Sequence, residues 1–472
     1  MTKRFRAFSA SVDSRFIERY QYWFLVAITF LAFLLRFFKL GEWSFWADEM
    51  LTIREAGAAF RGGLLLSDIP GKGLTLLLIS RALSLLGTNE WSARLVPALV
   101  GIATIPILCL IARKLFNPAV GLGAALLLAV SPWHIEWSQN ARYPASLLLL
   151  FSLAVFYLYL GLERDRPLLV LTSVFFFALA MWERFYAVFY IPIAFGYILL
   201  LILFRYRKPV GINRRNVGLL IGALSLYFLI TPPAAIQHLT VSADFVGFEE
   251  FAGGGLYWPS PQSILWNYVN FITLPIVCLG GGALIYLFLK KERTSLVLGL
   301  GMAIPLLGTM VAALFQPAYV RYTFLSLPFV LILAASGLNA LFERTSGAAK
   351  SITLGLLVLL ILEPLISTGF YFRDRNGNRP DWKGAYEYVQ QQRMPNDIIL
   401  ANQQVVGAYY IGEEVIDLRE IDLEYLLALN QRGWVVTDTA WTRIDPAIQK
   451  WIGGNCNLIR EKFNVLTYLC NP

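Results

Sequence analysis

Two carboxylates stand side by side in Trp46-Ala47-Asp48-Glu49-Met50-Leu51, just after the first long apolar run. Acids among aromatic and apolar residues at a membrane boundary are costly unless they are used or paired. A loop acid is more often simply solvated, so the pair alone says little. Three other stretches change the weighing: Ser131-Pro132-Trp133-His134-Ile135-Glu136-Trp137-Ser138-Gln139-Asn140-Ala141-Arg142-Tyr143, Gln316-Pro317-Ala318-Tyr319-Val320-Arg321-Tyr322 with Leu327-Pro328 behind it, and Asp68-Ile69-Pro70-Gly71-Lys72-Gly73. Lys72, Arg142, Arg184 and Arg321 all fall near membrane boundaries on one side. Singly, such cations hold lipid headgroups without specificity. Together with a carboxylate they offer a base for a poor nucleophile and fixed charge for an anion.

These residues need a scaffold, and the composition says which. The chain has 472 residues, 57% hydrophobic and only 15% charged, with a mean hydropathy of +0.58. A soluble chain is nearer a quarter charged. The apolar residues come in runs of about 20, enough to cross a hydrocarbon core as helices. Eleven spans are expected: 22–40, 93–112, 119–137, 143–162, 168–182, 185–204, 216–236, 264–289, 295–315, 324–342 and 351–371. A shorter apolar stretch, Leu74–Leu86, carries Arg81.

The formal net charge of +9 invites a nucleic-acid reading, but its placement argues for topology. Arg113-Lys114, Arg164 with Arg166, the Arg205–Arg215 loop, Lys290-Lys291-Arg293, and Arg344 with Lys350 read as cytoplasmic by the positive-inside rule. The loop 237–263 has no Lys or Arg and contains Asp244, Glu249 and Glu250, so it reads as external. Lys3, Arg4, Arg6, Arg15 and Arg19 lead into the first run, an uncleaved signal anchor. With the N-terminus inside, the signs alternate if 74–86 lies in the interface. The alternative is that it crosses and another span is false. The expected fold is all-α and polytopic, with residues 1–372 as the membrane part and 41–92 as its first external loop.

From Arg373 the chain turns polar and mixes helical and extended patterns, reading as a small extracytoplasmic α/β domain over 373–472. Helices are expected from Pro380-Asp381 to Arg393, over Asp422–Gln431 and over Pro446–Ile452. Strands are expected at Asp397–Leu400 and Trp434–Thr437, with a hairpin of Asn457–Arg460 and Val465–Leu469. Cys456 and Cys470 are equidistant from Phe463. Outside the membrane they form a disulfide across the hairpin, or else remain two free thiols. Cys109 and Cys278 lie inside apolar runs as packing residues.

The order of Asp48-Glu49, Glu90-Trp91-Ser92-Ala93-Arg94-Leu95, Ser131–Tyr143 and Arg321-Tyr322 resembles the GT-C superfamily of glycosyltransferases. It is most similar to the branch of bacterial protein mannosyltransferase-like and aminoarabinose transferase-like enzymes. Asp381-Trp382-Lys383 and Asn396-Asp397 resemble the tail of that branch. Two departures stand out. Pro144 follows Tyr143 directly, and Gly71-Lys72-Gly73-Leu74 stands where many relatives carry His-Pro-Pro or Lys-Pro-Pro. The second puts the acceptor side in question.

The resemblance implies inverting transfer of a hexosyl or pentosyl unit from a polyprenyl-phosphate-linked sugar to an external glycan, lipid or protein. On that reading Asp48 is the base and Glu49 its orienter or substitute. Arg321, Arg142 and Lys72 bind the leaving phosphate, with Tyr322 and Tyr143 beside it. His134, Gln139 and Asp68 support the substrate side, His134 as a hydrogen-bonding residue rather than a ligand. No cofactor is required. Paired carboxylates suit a divalent metal at Asp48 and Glu49, which a monophosphate leaving group does not demand. Membrane lipid is a partner and nucleic acid is not. The loop 237–263, with Phe245, Phe248, Phe251, Tyr257 and Trp258 among Gly253-Gly254-Gly255, suits a cover over sugar rings or an interfacial belt. The rival from another class is a transporter or lipid flippase. Such proteins carry internal repeats and polar groups at the midplane, whereas the conspicuous charges here sit at the outer rim of apolar spans. The expected location is the inner (plasma) membrane, with the C-terminal domain outside.

Overall fold

The computed structural model describes residues 2–60, 73–231, 259–429, 431–439 and 444–471. Lys72, Asp68 and most of the 237–263 loop therefore lie outside the described residues. Helices dominate, and within the described residues each expected span coincides with helix. The long helices are α1 (Thr2–Phe37), α4 (Glu90–Leu115), α7 (Pro144–Arg164), α13 (Thr294–Ala312), α14 (Leu327–Arg344) and α15 (Ala348–Arg373). Between them come α2 (Ala47–Phe60), α3 (Gly73–Leu86), α5 (Pro118–Val130), α6 (Pro132–Ser138), α8 (Pro167–Glu183), α9 (Tyr190–Leu203), α10 (Arg214–Ile230), α11 (Pro261–Ile272) and α12 (Leu274–Leu289).

The expected count of eleven crossings is not reproduced. Among the described residues, seven helical stretches are long and apolar enough to cross, and nine if two bent pairs each count as one span. The helices over the expected spans 168–182 and 216–236 have 17 residues each, and the second span runs beyond the described residues. Helix α3 has 14 residues. It rises about 21 Å, short of a hydrocarbon core of about 30 Å. The protein is a multi-pass membrane protein, with α7 and the Val320–Arg344 stretch most enclosed and α1 and α15 least. The outer helices present large apolar side chains, such as Trp23, Leu289 and Ile352, each 74% exposed. In water that surface would be a liability; against lipid tails it is expected.

Both bends have a residue-level cause. Pro132 and Pro275 each sit in a helical first turn. Proline has no N–H to give and its ring strikes the carbonyl four residues back, so a helix running into it must break. The α5–α6 pair bends by 63° and the α11–α12 pair by 98°. At the second break Thr273 takes φ 83°, a strained value for a β-branched residue. At the first, the freed carbonyls of Leu128 and Ala129 accept from Arg36 Nη2 and Nη1 at 3.1 and 2.8 Å. Arg36 is fully buried, and this carbonyl cage is its compensation. Helices α4 and α6 also cross closely: a Cβ on Gly101 would lie 2.1 Å from Ser138 Oγ.

After α15 the chain builds a five-stranded sheet of order β2-β1-β3-β5-β4. Its strands are β1 (Ile398–Ala401), β2 (Ile416–Asp417), β3 (Gly433–Asp438), β4 (Cys456–Lys462) and β5 (Val465–Cys470). β1 pairs in parallel with β2 and β3, while β5 runs antiparallel to β3 and β4. The β4–β5 hairpin turns on Phe463 and Asn464, both at positive φ (42° and 64°), the twist a two-residue hairpin favours. Cys456 and Cys470 are register partners and form a disulfide. Helices α16 (Trp382–Gln392), α17 (Gln404–Ile411), α18 (Leu423–Leu429) and α19 (Pro446–Asn455) cover the sheet. The sequence reading did not include α17 or β2.

The sheet is not an appendage. Trp382, Tyr386, Ile399, Trp434 and Val465 share one apolar core with Phe45, Met50 and Ile53 of the Asp48 segment and Leu76, Ile79 and Leu83 of α3. Helices α2 and α3 are therefore pressed between the C-terminal sheet and the ends of the membrane helices.

Candidate active site

Helix α2 explains why two neighbouring acids part company. Successive residues on a helix point about 100° apart, and one face recurs at i, i+3, i+4 and i+7. Asp48, Leu51, Thr52 and Glu55 follow that spacing and line a cavity of about 270 Å³. Met50, Ile53 and Ala56 lie on the other side, in the core shared with the C-terminal sheet. Glu49 turns inward with them and is fully buried. Both acids lie in the first turn of α2, where the helix dipole favours negative charge.

The cavity gathers three guanidiniums from distant parts of the chain. Arg142 follows the short helix α6, Arg184 caps the C-terminus of α8, and Arg321 lies in the 3-10 turn Val320–Ser326. Asp48 Oδ2 lies 3.3 Å from Arg142 Nη2 and 3.3 Å from Arg321 Nη1. Arg142 Nη1 also donates to the Asp48 carbonyl at 2.7 Å. Arg321 Nε is buried with no hydrogen-bond partner. The cavity is thus lined by three guanidiniums and two carboxylates, Asp48 and Glu55. Half-buried guanidiniums that outnumber the carboxylates around open volume can receive an anion.

Aromatic rings hold the guanidiniums in place. The Arg142 and Arg184 guanidiniums lie 5.4 and 4.8 Å from the centre of the Tyr143 ring. Arg321 lies 4.9 Å from Tyr319 and 5.6 Å from Tyr322. Tyr186 links the two groups, 6.3 Å from Tyr143 and 5.0 Å from Tyr322. Such stacking is worth more once water is excluded. Burial pushes the Tyr143 phenol upward, but Arg184, Arg142 and Arg321 outweigh it and hold it below the usual tyrosine value.

Glu183 brings α3 to the cavity wall. Its Oε1 accepts from the Thr75 backbone N at 2.9 Å and from Thr75 Oγ1 at 2.8 Å, so a carboxylate from α8 caps α3 in trans. Gly73 starts that helix at φ 51°, and a Cβ there would lie 2.6 Å from Glu183 Oε2. Thr75 and Leu76 consequently reach the cavity.

The second acid does other work. Arg94, itself fully buried, grips Glu49 with two parallel bonds, Nε to Oε1 at 2.8 Å and Nη2 to Oε2 at 2.7 Å. The Ala141 backbone N donates to Oε1 at 2.8 Å, and Arg379 Nε lies 3.6 Å from Oε2. Burial would raise the Glu49 pKa, yet Arg94 and Arg379 bring it below the ordinary glutamate value. Arg94 also donates to the carbonyls of Leu40, Trp43 and Ser44, which fixes the segment leading into α2.

The geometry separates several residues that the sequence grouped. Glu49 is fully buried, does not line the cavity and has both oxygens engaged by Arg94. Asp48 and Glu49 also make no metal site as a pair, since they face different sides and guanidiniums already meet their oxygens. Among the described residues no group of three or more His, Cys, Asp or Glu side chains could hold a metal ion. His134 and Gln139 do not line the cavity. His134 is fully buried, its Nδ1 accepting from Arg36 Nη2 at 2.8 Å. Because guanidinium offers only donors, the proton sits on Nε2. Gln139 Nε2 donates to the Arg36 and Phe38 carbonyls at 3.1 and 2.8 Å, while its Oε1 accepts from Tyr371 at 3.0 Å. It ties the end of α1 to the end of α15. Arg94, Glu183 and Arg379 were missed by the sequence reading, and Arg184 was noticed without a role. Arg94, four residues after Glu90 in a quoted motif, was the most findable.

Comparison with known proteins follows the same outline. The family model for dolichyl-phosphate-mannose-protein mannosyltransferases matches residues 74–235. No curated protein matches the chain significantly. Among solved structures, ArnT from Cupriavidus metallidurans in the apo state superposes with a TM-score of 0.62 at 14% identity, over 94% of this chain and 97% of that one. The same protein bound to undecaprenyl phosphate gives 0.61 at 13% identity, with the same coverage. The oligosaccharyltransferase of Archaeoglobus fulgidus gives 0.62 at 12%, over 91% of this chain and 70% of that chain. The chain thus shares its fold with ArnT and with the archaeal oligosaccharyltransferase, and the mannosyltransferase family model matches part of it, residues 74–235.

Proposed function

We propose that this protein is a membrane glycosyltransferase that moves a sugar from a polyprenyl-phosphate donor to an extracytoplasmic acceptor, with inversion at the anomeric carbon. The observation that carries the reading is the convergence of Asp48 with Arg142, Arg184 and Arg321 around one cavity. The family match and the undecaprenyl phosphate in the ArnT neighbour support the donor class.

The chemistry balances across those residues. The acceptor hydroxyl or amine gives its proton to Asp48 as its lone pair forms the bond to the anomeric carbon. The bond from that carbon to the phosphate oxygen breaks, and its electron pair stays on the phosphate. One negative charge thus leaves Asp48 and one appears on the lipid phosphate. Arg142 and Arg321 already touch Asp48, so the cations that steady the carboxylate beforehand steady the phosphate afterwards. Arg184 adds a third fork, and guanidinium forks suit phosphate oxygens. Tyr143 and Tyr322 keep the forks oriented. No metal is needed for a leaving group that is already a good one.

We place the N-terminus in the cytoplasm and the cavity and C-terminal sheet outside the plasma membrane. The Cys456–Cys470 disulfide suits that side, and the cation-rich loops gather at the other end. Residues 1–372 are read as the catalytic membrane domain and 373–472 as the external domain. The test is transfer by purified protein from a panel of polyprenyl-phosphate sugars, wild type against Asp48→Asn. Transfer by the wild type that collapses in the variant supports the reading. Lipid translocation without any sugar transfer replaces it with a flippase.

A further inference from the structure

We infer that Arg379, in the link between α15 and the C-terminal sheet, is a positioning residue of the catalytic centre, acting through Glu49 and the 139–142 turn. The inference rests on the transferase reading.

The contact that matters for chemistry is Asp48 with Arg142, at 3.3 Å. Each partner is one residue from the buried junction. Glu49 follows Asp48, and Ala141, whose N–H bonds Glu49 Oε1, precedes Arg142. Arg379 holds both halves of that junction. Its Nη2 donates to the Gln139 carbonyl at 2.7 Å, and its Nε faces Glu49 Oε2 at 3.6 Å. Its Nη1 donates to the Gly377 carbonyl at 3.0 Å and to Tyr371 Oη at 3.4 Å. The guanidinium lies 5.5 Å from the Trp43 ring centre. A residue that anchors the C-terminal link thereby sets how far Asp48 stands from Arg142.

Stability alone gives little reason for this arrangement. Arg379 is 4% exposed and shares one buried carboxylate with a second arginine, Arg94. Two buried guanidiniums on one carboxylate cost desolvation that an apolar side chain would avoid. What an apolar side chain lacks is the fork that spans Glu49, Gln139 and the C-terminal link at once. The nearby ties run the same way: Ser44 Oγ donates to the Pro380 carbonyl at 3.1 Å, and Tyr410 Oη accepts from the Phe45 N at 2.7 Å.

The experiment uses the full chain with its working lipid-linked sugar, comparing Arg379→Gln, Arg379→Lys, Glu49→Gln and the double variant Arg379→Gln with Glu49→Gln. Melting temperature, donor affinity and kcat are read in parallel. Misplacing reacting groups by about 1 Å costs about 100-fold, so kcat in Arg379→Gln should fall about that much. Donor affinity should stay within about threefold, because the cavity guanidiniums remain; Arg379→Lys should recover part of the loss. Glu49→Gln should lose a similar amount, and the double variant should be no worse than the worse single one, as for residues acting as a unit. A folded Arg379→Gln with unchanged kcat overturns the inference. So does a kcat that falls only in step with donor affinity and folded fraction, or a double variant in which the losses add. If Arg379→Gln does not fold, Arg379→Lys and Tyr371→Phe decide: turnover lost with affinity kept supports the inference, and turnover kept overturns it. A wild type inert toward every lipid-linked sugar overturns the transferase reading and this inference with it, whereas an active wild type beside an equally active Arg379→Gln overturns this inference alone.

Discussion

Replacing Asp48 by Asn should move binding and turnover in opposite directions. Asp48 Oδ2 occupies donors on both Arg142 and Arg321, at 3.3 Å each. A donor phosphate must use the same guanidiniums, which places it within about 4 Å of the carboxylate. Two like charges at that distance repel by about 1 kcal/mol in bulk water and about 4 kcal/mol at an effective dielectric of 20. The side chains of Asp48 and Arg321 are 28% and 31% exposed, so the low end applies, about 1.4 kcal/mol or a factor of ten. Asn keeps the shape and removes the charge. Donor affinity should therefore rise about tenfold, while kcat falls by about 10²- to 10⁴-fold with loss of the base. The two arms are equilibrium binding of a non-transferable polyprenyl-phosphate sugar analogue and transfer of a labelled sugar. Weaker donor binding in the variant would show that Asp48 orders the guanidiniums rather than competing with phosphate. Turnover within threefold of wild type would remove it from the chemistry.

Neutralising any one of Arg142, Arg184 or Arg321 with Gln should weaken analogue binding about 10- to 100-fold, the range of a charged hydrogen bond removed from a partly buried site. Lys should restore less than half of that free energy because the fork is lost, and an Arg184→Gln that binds like wild type would exclude Arg184 from the anion site. The Tyr143 phenol should ionise below the usual tyrosine value near about 10 and be missing from the alkaline ultraviolet titration of Tyr143→Phe. Its folded pKa is depressed, so the stability it contributes is full above about 10 and is lost as pH falls through the folded value. Bound polyprenyl phosphate should push the phenol back up by neutralising the guanidiniums, and a titration indifferent to ligand would place the phosphate elsewhere. Changing both Cys456 and Cys470 to Ser reopens a loop with a sequence separation of 14. The loss should be at most about 3 kcal/mol, read as earlier melting and easier proteolysis of the C-terminal sheet.

The apolar runs announced the membrane helices because lipid leaves the backbone no other choice. The hairpin with Cys456 and Cys470 was legible because strand register is local arithmetic. Asp48, Arg142 and Arg321 could be placed together because each followed a boundary of the same sign. What sequence could not deliver was direction. Asp48 and Glu49 look interchangeable in a string, and one helical step sends the first to the cavity and the second to the core. His134 and Gln139 sit in the most specific motif, yet they serve the break at Pro132 and the end of α1. Arg379 and Glu183 were invisible because their partners, Glu49 and Thr75, lie 330 and 108 positions away. The count of eleven spans is not confirmed, because the helices over 168–182 and 216–236 have 17 residues each and the second span runs beyond the described residues. Hydropathy also does not register the bends at Pro132 and Pro275, which leave the number of expected spans unchanged but break two of them.

The interlock between Ser44, Phe45 and Glu49 on one side and Pro380, Tyr410 and Arg379 on the other has a consequence for how the molecule is made. Asp48, the proposed base, is translated 331 residues before Arg379, one of the side chains that brace its segment. A chain extended past Arg321 but not yet to Arg379 carries the proposed base and its arginines without that bracing contact. On the proposed reading, competence waits for Arg379, Pro380 and Tyr410 to dock against Glu49, Ser44 and Phe45.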